Sequence, residues 1–378
     1  MELVIECRRA QCRCQRAMDR PFRDALGASQ AGRRAVAVRP QETWFDERTG
    51  SLPYVDEIRD GESGHGYALR MACGNGLNGL GRVKQLLGRT HAFAVLTSDD
   101  APSLAQWFGA SVPRLALALE QLPNGRREHG VVFAGQVFGR KYFLNRCYPR
   151  VCPDCLRDFG YCRLAWEFSL VVACARHRRL LIDRCPACHG AIRWGRPGLD
   201  VCQCGSPWKM FDAPEFPSPG ELVLSHLVDQ KVDDVELLDN VEIESQVGAD
   251  TAGRMLINLL RPLTLDGVFR VVYALATAAA YDLDACIGRR ERGLLRKARQ
   301  TIDMACSFGV KVSGPQKVNL RSHRPTVLMD LLGEIYLIGS SAGGDRSLAI
   351  SMLHSLLASS SDSPSRPRHA SLAQGVLF

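Results

Sequence analysis

The chain has 378 residues, 46% hydrophobic and 23% charged, with a formal net charge of +8. That length and apolar content can fill a sizeable core and exclude a wholly disordered chain. No run approaches the roughly 18 uninterrupted apolar residues of a membrane span. The start, MELVIECRRAQCRCQR, lacks an apolar signal-peptide core, so the expectation is a cytoplasmic protein with no membrane partner.

Residues 1–50 are Arg-rich with scattered Gly and little periodicity, which predicts a disordered or poorly ordered basic extension. Cys7, Cys12 and Cys14 lie there as incidental thiols, and Met18 is a second candidate start. From Leu52 the apolar spacing turns helical, in YALRMACGNGL, in GLGRVKQLLG and in SLAQWFGASVPRLALALEQL, giving an N-terminal helical domain over 51–146. The third of these segments has a helix-turn-helix look. A short helix (SLAQWF), a turn at Gly109-Ala110-Ser111 and a second helix from Val112 through VPRLALALEQL turn Leu104, Leu115 and Leu119 inward. The second helix offers only Arg114 and Gln121 for base contacts, and a helical pair for protein contact is the alternative. Gly74-Asn-Gly76-Leu-Asn-Gly79 spells G-x-G-x-x-G, but YALRMAC before it reads as a helix running into a glycine cap rather than the strand a dinucleotide site needs.

Nine of the fifteen cysteines fall between Cys147 and Cys204, within a block predicted to be a tandem zinc-finger module over 147–212. In a long, reduced chain, such clustering points to metal rather than disulfides. Four ligand pairs follow one another: Cys152/Cys155, Cys174/His177, Cys185/Cys188 and Cys202/Cys204. Eighteen residues separate the first two pairs, thirteen the last two, and only seven the middle two. Zinc knuckles are usually joined by about 12–20 residues, so sequential pairing fits; a cross-braced arrangement is the alternative. Each set of four Cys/His ligands is closed, so the expectation is two structural Zn²⁺ ions and no activated water. Catalytic residues are not expected. A zinc deaminase needs H-x-E, and none of the nine histidines is followed two places later by Glu. Cys162 reads as core, His189 as a loop histidine, and the alternation of Trp166, Phe168, Leu170 and Val172 as a strand packed on the first site.

Between residues 140 and 200 there are twelve Arg/Lys against five Asp/Glu. The basic patch makes Arg176, Arg178, Arg179 and Arg184 candidates for gripping phosphates, with a merely solvated surface as the alternative. FDAPEFPSPG and an acidic run from Asp229 to Asp250 then frame a linker with one short helix over 213–250. Helical spacing returns in five further segments, predicting a C-terminal bundle over 251–358 and a Ser/Pro-rich disordered tail over 359–378. The fold class is therefore mainly α, with small zinc-ribbon-like β elements.

Taken together, Leu52-Pro53, Glu62-Ser63, Asn75-Gly76-Leu77, Cys152-Pro153-Asp154-Cys155, Tyr161, Arg163-Leu164, Trp166, Cys174, His177, Asp183, Cys185-Pro186-Ala187-Cys188 and Cys202-Gln203-Cys204-Gly205 resemble the TniQ/TnsD family of transposon target-selection proteins. The resemblance spans about 51–212. It implies a non-enzymatic selector that binds double-stranded DNA or a guide-RNA surveillance complex, recruits an AAA+ ATPase and, through it, the transposase. A homodimer is compatible with this. A zinc-ribbon transcription regulator or protein-interaction module is the alternative. Two departures stand out: Cys162 replaces a common aromatic, and Gly64-His65-Gly66-Tyr67 replaces a Ser-Ser-Trp-like helix start, a change expected to weaken that helix.

Overall fold

Ser63 opens the first helix, α1 (Gly64–Gly74), by accepting a hydrogen bond from the Gly66 N–H at 3.0 Å. In this computed structural model, which describes residues 50–89, 95–122, 130–146, 148–208, 211, 215–233, 260–282 and 295–313, α1 is buried from Gly64 to Ala72. The two glycines expected to weaken it are what let it sit there. A Cβ on Gly64 would stand 2.6 Å from the Ala118 carbonyl, and one on Gly66 would stand 2.7 Å from the Cys162 Cβ. The Gly66 and Cys162 departures are thus one packing contact between two small residues. Tertiary burial outweighs the intrinsic glycine cost of about 1 kcal/mol per residue.

At its other end α1 stops on Asn75, whose side chain receives the Tyr54 N–H and donates to the Tyr54 and Met71 carbonyls. Gly76 follows at φ +68°, so the G-x-G-x-x-G letters mark a helix stop, and α2 (Gly79–Leu86) starts at the last of them. Glu62, fully buried, is held by Arg70 through Nε at 2.8 Å and Nη2 at 2.9 Å, and Asp56 adds a second carboxylate to the same guanidinium. The Glu-Ser pair is therefore an anchor followed by a helix cap.

Helices α3 (Ala101–Phe108) and α4 (Val112–Leu117) are joined through Gly109 at φ +83°. Leu104, Leu115 and Leu119 are fully buried, as the sequence pattern requires. The second helix is shorter than its apolar pattern suggests: it ends at Leu117. Glu120 then bridges Thr97, and Gln121 bridges Val132 at the start of a hairpin formed by β1 (Val131–Phe133) and β2 (Gln136–Phe138). Backbone pairing with the hairpin captures the chain before the helix runs its course.

The expected strand at Trp166–Val172 is corrected as well. Leu164–Glu167 is a 3₁₀ turn, and Phe168 makes a single bridge to Leu144. All four alternating residues are nonetheless buried. Around the metal block the β elements are isolated bridges, Val151 with Ile182, Ala173 with Leu180, Arg184 with Ala191 and Val201 with Pro207. Helix α5 (Pro153–Asp158) carries Cys155.

Three further helices, α6 (Pro219–Asp233), α7 (Leu265–Asp282) and α8 (Leu295–Ser313), share the same hydrophobic core. Phe269 of α7 meets Phe138, Phe143 and Phe168, and Tyr273 stacks on Phe143 at 5.7 Å. Helix α6, expected inside a linker, packs against the Leu164–Glu167 turn. There Arg163 and Asp229 form a buried ion pair at 2.9 Å. Asp183 accepts the Leu295 N–H at 3.0 Å and so caps α8. Cys7, Cys12, Cys14, Cys147, the basic extension, the acidic run beyond Asp233 and the tail lie outside the described residues.

Candidate metal centres and the basic face

The two closed ligand sets assemble in sequence order. Cys152, Cys155, Cys174 and His177 bring their donor atoms within 4.8 Å of one another, and Cys185, Cys188, Cys202 and Cys204 do the same. In the first set, Cys152 precedes α5 and Cys155 lies one turn in, while Cys174 and His177 sit on the turn closed by the Ala173–Leu180 bridge. The left-handed residue Arg178, at φ +53°, completes that turn, with its N–H bonded to the Cys174 carbonyl at 2.8 Å. His177 Nδ1 faces the sulfurs of Cys155 at 3.1 Å and of Cys152 and Cys174 at 3.6 Å. Its Nε2 meets Asp158 Oδ2 at 2.9 Å. A carboxylate behind an imidazole fixes the tautomer that leaves Nδ1 free to ligate. Asp158 is a site residue that the ligand pattern does not point to; its signal is an acid six residues after the first ligand.

The donor chemistry fits a divalent cation. Hydrogen bonds to the Cys152 and Cys155 thiols push the Cys174 thiol well below its ordinary value. Cys155 is raised by its hydrogen bonds to Cys152 and Cys174 and by burial. A central cation lets such crowded thiols ionise together. Thiolates with one imidazole, in a closed set of four, suit Zn²⁺.

In the second set, Cys185 is pushed down to about 6: burial opposes this, and the backbone N–H groups of Cys188 and Ala187 help to outweigh it. Cys202 is pushed up to about 12 by burial first. Here the surroundings differ, because Cys185 and Cys202 are buried while Cys188 and Cys204 are exposed. His189, at φ +56° and exposed, stands outside the ligand group. Cys162, also outside it, is buried, which pushes its thiol up to about 11.

The candidate nucleic-acid residues are dispersed. Arg176 and Arg178 are exposed on the first knuckle, Arg176 lying over the Phe159 ring at 4.8 Å. Arg179 is half-buried, 3.7 Å from Asp154 and over Phe216. Arg184 is exposed before the second knuckle and donates to the His189 carbonyl at 3.2 Å. Arg114, on α4, is paired with Asp60 and with Glu57. Gln121 lies past the end of α4, in the bridge to Val132. Sequence reasoning did not identify Arg59, which covers Tyr161 at 5.6 Å, or Phe159, whose ring is 6.3 Å from that of Tyr161. These residues join the Arg114 side to the first knuckle, since Tyr161 Oη donates to the Asp60 carbonyl at 3.4 Å.

A helical core carrying two Cys/His clusters that could each hold a metal ion, with exposed arginines beside the first, defines the class of this protein. The TniQ family model matches residues 53–181, so this stretch of the chain is similar to the TniQ domain. The matched stretch contains the first ligand set and ends before the second. No curated protein shows a significant match to the chain. Among the described residues no helix is long and apolar enough to cross a membrane.

Proposed function

We propose that this protein is a zinc-stabilised, non-enzymatic adaptor of DNA transposition. It engages duplex DNA or a DNA-bound guide-RNA complex and recruits an AAA+ ATPase and, through it, a transposase. The TniQ domain, with the first ligand set inside it, is the observation that carries this reading. Cys152, Cys155, Cys174 and His177 would hold one Zn²⁺, and Cys185, Cys188, Cys202 and Cys204 a second. When bound, each ion supplies cross-linking charge between chain segments and leaves no coordination position for substrate. Arg176 and Arg178 supply exposed positive charge beside the first ion, as phosphate contacts require. Arg114, already paired with carboxylates, contributes less, so affinity is expected to rest on the knuckle face more than on α4.

The test is selection of bound fragments from a random and genomic duplex pool by the zinc-loaded protein at two salt concentrations, beside co-elution with the ATPase of the same element. One sequence enriched at both salts, or ATPase co-elution without DNA selectivity, supports the adaptor in its direct or docking form. Neither DNA enrichment nor ATPase co-elution would sink it.

A further inference from the structure

The two ligand sets differ in access, and the exposed one is attached to the N-terminal helices. Cys188 and Cys204 are exposed, whereas Cys152, Cys155 and Cys174 are buried and only His177 is half-buried. Between Cys188 and Cys202 the chain runs through a loop whose buried residues reach across to α1 and α2. Trp194 stacks on His65 of α1 at 5.3 Å and 19°. The Arg196 guanidinium is fully buried between the Trp194 and Trp208 rings, at 5.2 and 5.5 Å. Its Nε donates to the Gly198 carbonyl at 3.0 Å, and its Nη2 approaches Cys162 Sγ at 3.5 Å. Cys73, at the end of α1, donates to the Pro197 carbonyl at 3.2 Å. Gly79, at φ +69° and first in α2, lies so close to the Arg196 carbonyl that a Cβ there would overlap it.

We propose that the second centre is an exchangeable metal clamp: the ion at Cys185, Cys188, Cys202 and Cys204 comes and goes while the first is retained, and its presence keeps α1 and α2 ordered. This rests on the metal reading above. A bound ion would be lost to a competing ligand only where that ligand can reach the protein's own donors. A competing donor can reach the ion past Cys188 and Cys204 without opening the fold; at the first centre local unfolding must come first. Losing the ion frees a loop that holds a buried cation between two indoles. Without the four ligands to fix its ends, the loop no longer offsets the desolvation of Arg196, whose pKa burial already lowers.

The experiment is zinc release from the full-length, metal-loaded protein into an excess of a chromophoric chelator, followed in parallel by amide hydrogen exchange. Two phases of equal amplitude are expected, separated by roughly tenfold or more in rate. After the first equivalent, peptides covering 64–86 and 191–200 lose protection while those covering 170–182 keep it. In the variant C188S/C204S only the slow phase remains. A single phase, a fast phase that survives in that variant, or unchanged protection over 64–86 after the first equivalent overturns the clamp. Fewer than two equivalents of zinc bound at equilibrium with excess free zinc refutes the two-centre reading itself, before any rate is measured. The wild-type exchange pattern locates the fast ion even if the variant folds poorly.

Discussion

The first and second knuckles hold the same number of donors in opposite surroundings. The first lies within the TniQ-matched stretch, with three buried sulfurs. The backbone leading to Cys174 is braced from α6, where Ser225 Oγ accepts the Val172 and Ala173 N–H groups at 3.3 and 3.1 Å. The second lies beyond the matched stretch, with two exposed sulfurs and a loop reaching back to the first helices. Ligand spacing is blind to this difference. What surrounds the donors decides whether a metal acts as part of the core or as a fastening on it.

The sharpest way to break the comparison is Cys155→Ala. Structural zinc contributes roughly 10–16 kcal/mol in small zinc domains, comparable to a whole domain's marginal stability. Loss of cooperative thermal unfolding is therefore expected at the first centre. Next comes Arg163→Ala, which breaks the buried Arg163–Asp229 ion pair and should cost about 3–5 kcal/mol by chemical denaturation. If it costs nothing, this ion pair does not hold α6 against the Leu164–Glu167 turn as described. Cys204→Ala should cost less than Cys155→Ala, because its sulfur is exposed and what it releases is the Cys188–Cys202 loop with α1 and α2 rather than the whole core; equal destabilisation by Cys155→Ala and Cys204→Ala would erase the distinction.

A smaller effect is expected from Asp158→Asn, which weakens the fixing of the His177 ring. Zinc affinity of the first centre should fall about 10–100-fold in chelator competition, with the second unchanged. The smallest concerns His226 on α6, whose pKa is lowered by burial and by the Arg178 and Arg163 charges. The unfolded chain takes up this proton near pH 6.5 and the folded chain only at lower pH, so stability is lost as pH falls from 6.5 toward the folded value. His226→Gln should flatten that part of the pH–stability curve relative to wild type and leave it unchanged above pH 7.

The gathering of eight Cys/His side chains into two groups and the helical character of 64–117 were legible because each depends on local spacing: knuckles need short loops, and helices need an apolar residue every three or four positions. The misreadings share one cause. Gly64 and Gly66 looked like helix weakeners because propensity is local, whereas their use lies in contact with Ala118 and Cys162, more than fifty residues away. The apolar pattern of α4 continues to Leu122, yet pairing of Gln121 with Val132 ends the helix early. Trp166 to Val172 alternate as a strand would, but with a single bridge to Leu144 they form a turn in the core. Asp183 and Arg163 could be noticed as motif letters, but not as the cap of α8 and the partner of α6.

By itself, then, the sequence determined which side chains can ligate metal, in what order, and where the chain turns helical. The tertiary structure alone decided which centre is enclosed, which helices share its core, and which loop holds α1. Donor chemistry is a property of single residues at short separation, while burial and access are set by segments a hundred residues apart that meet only in the folded chain.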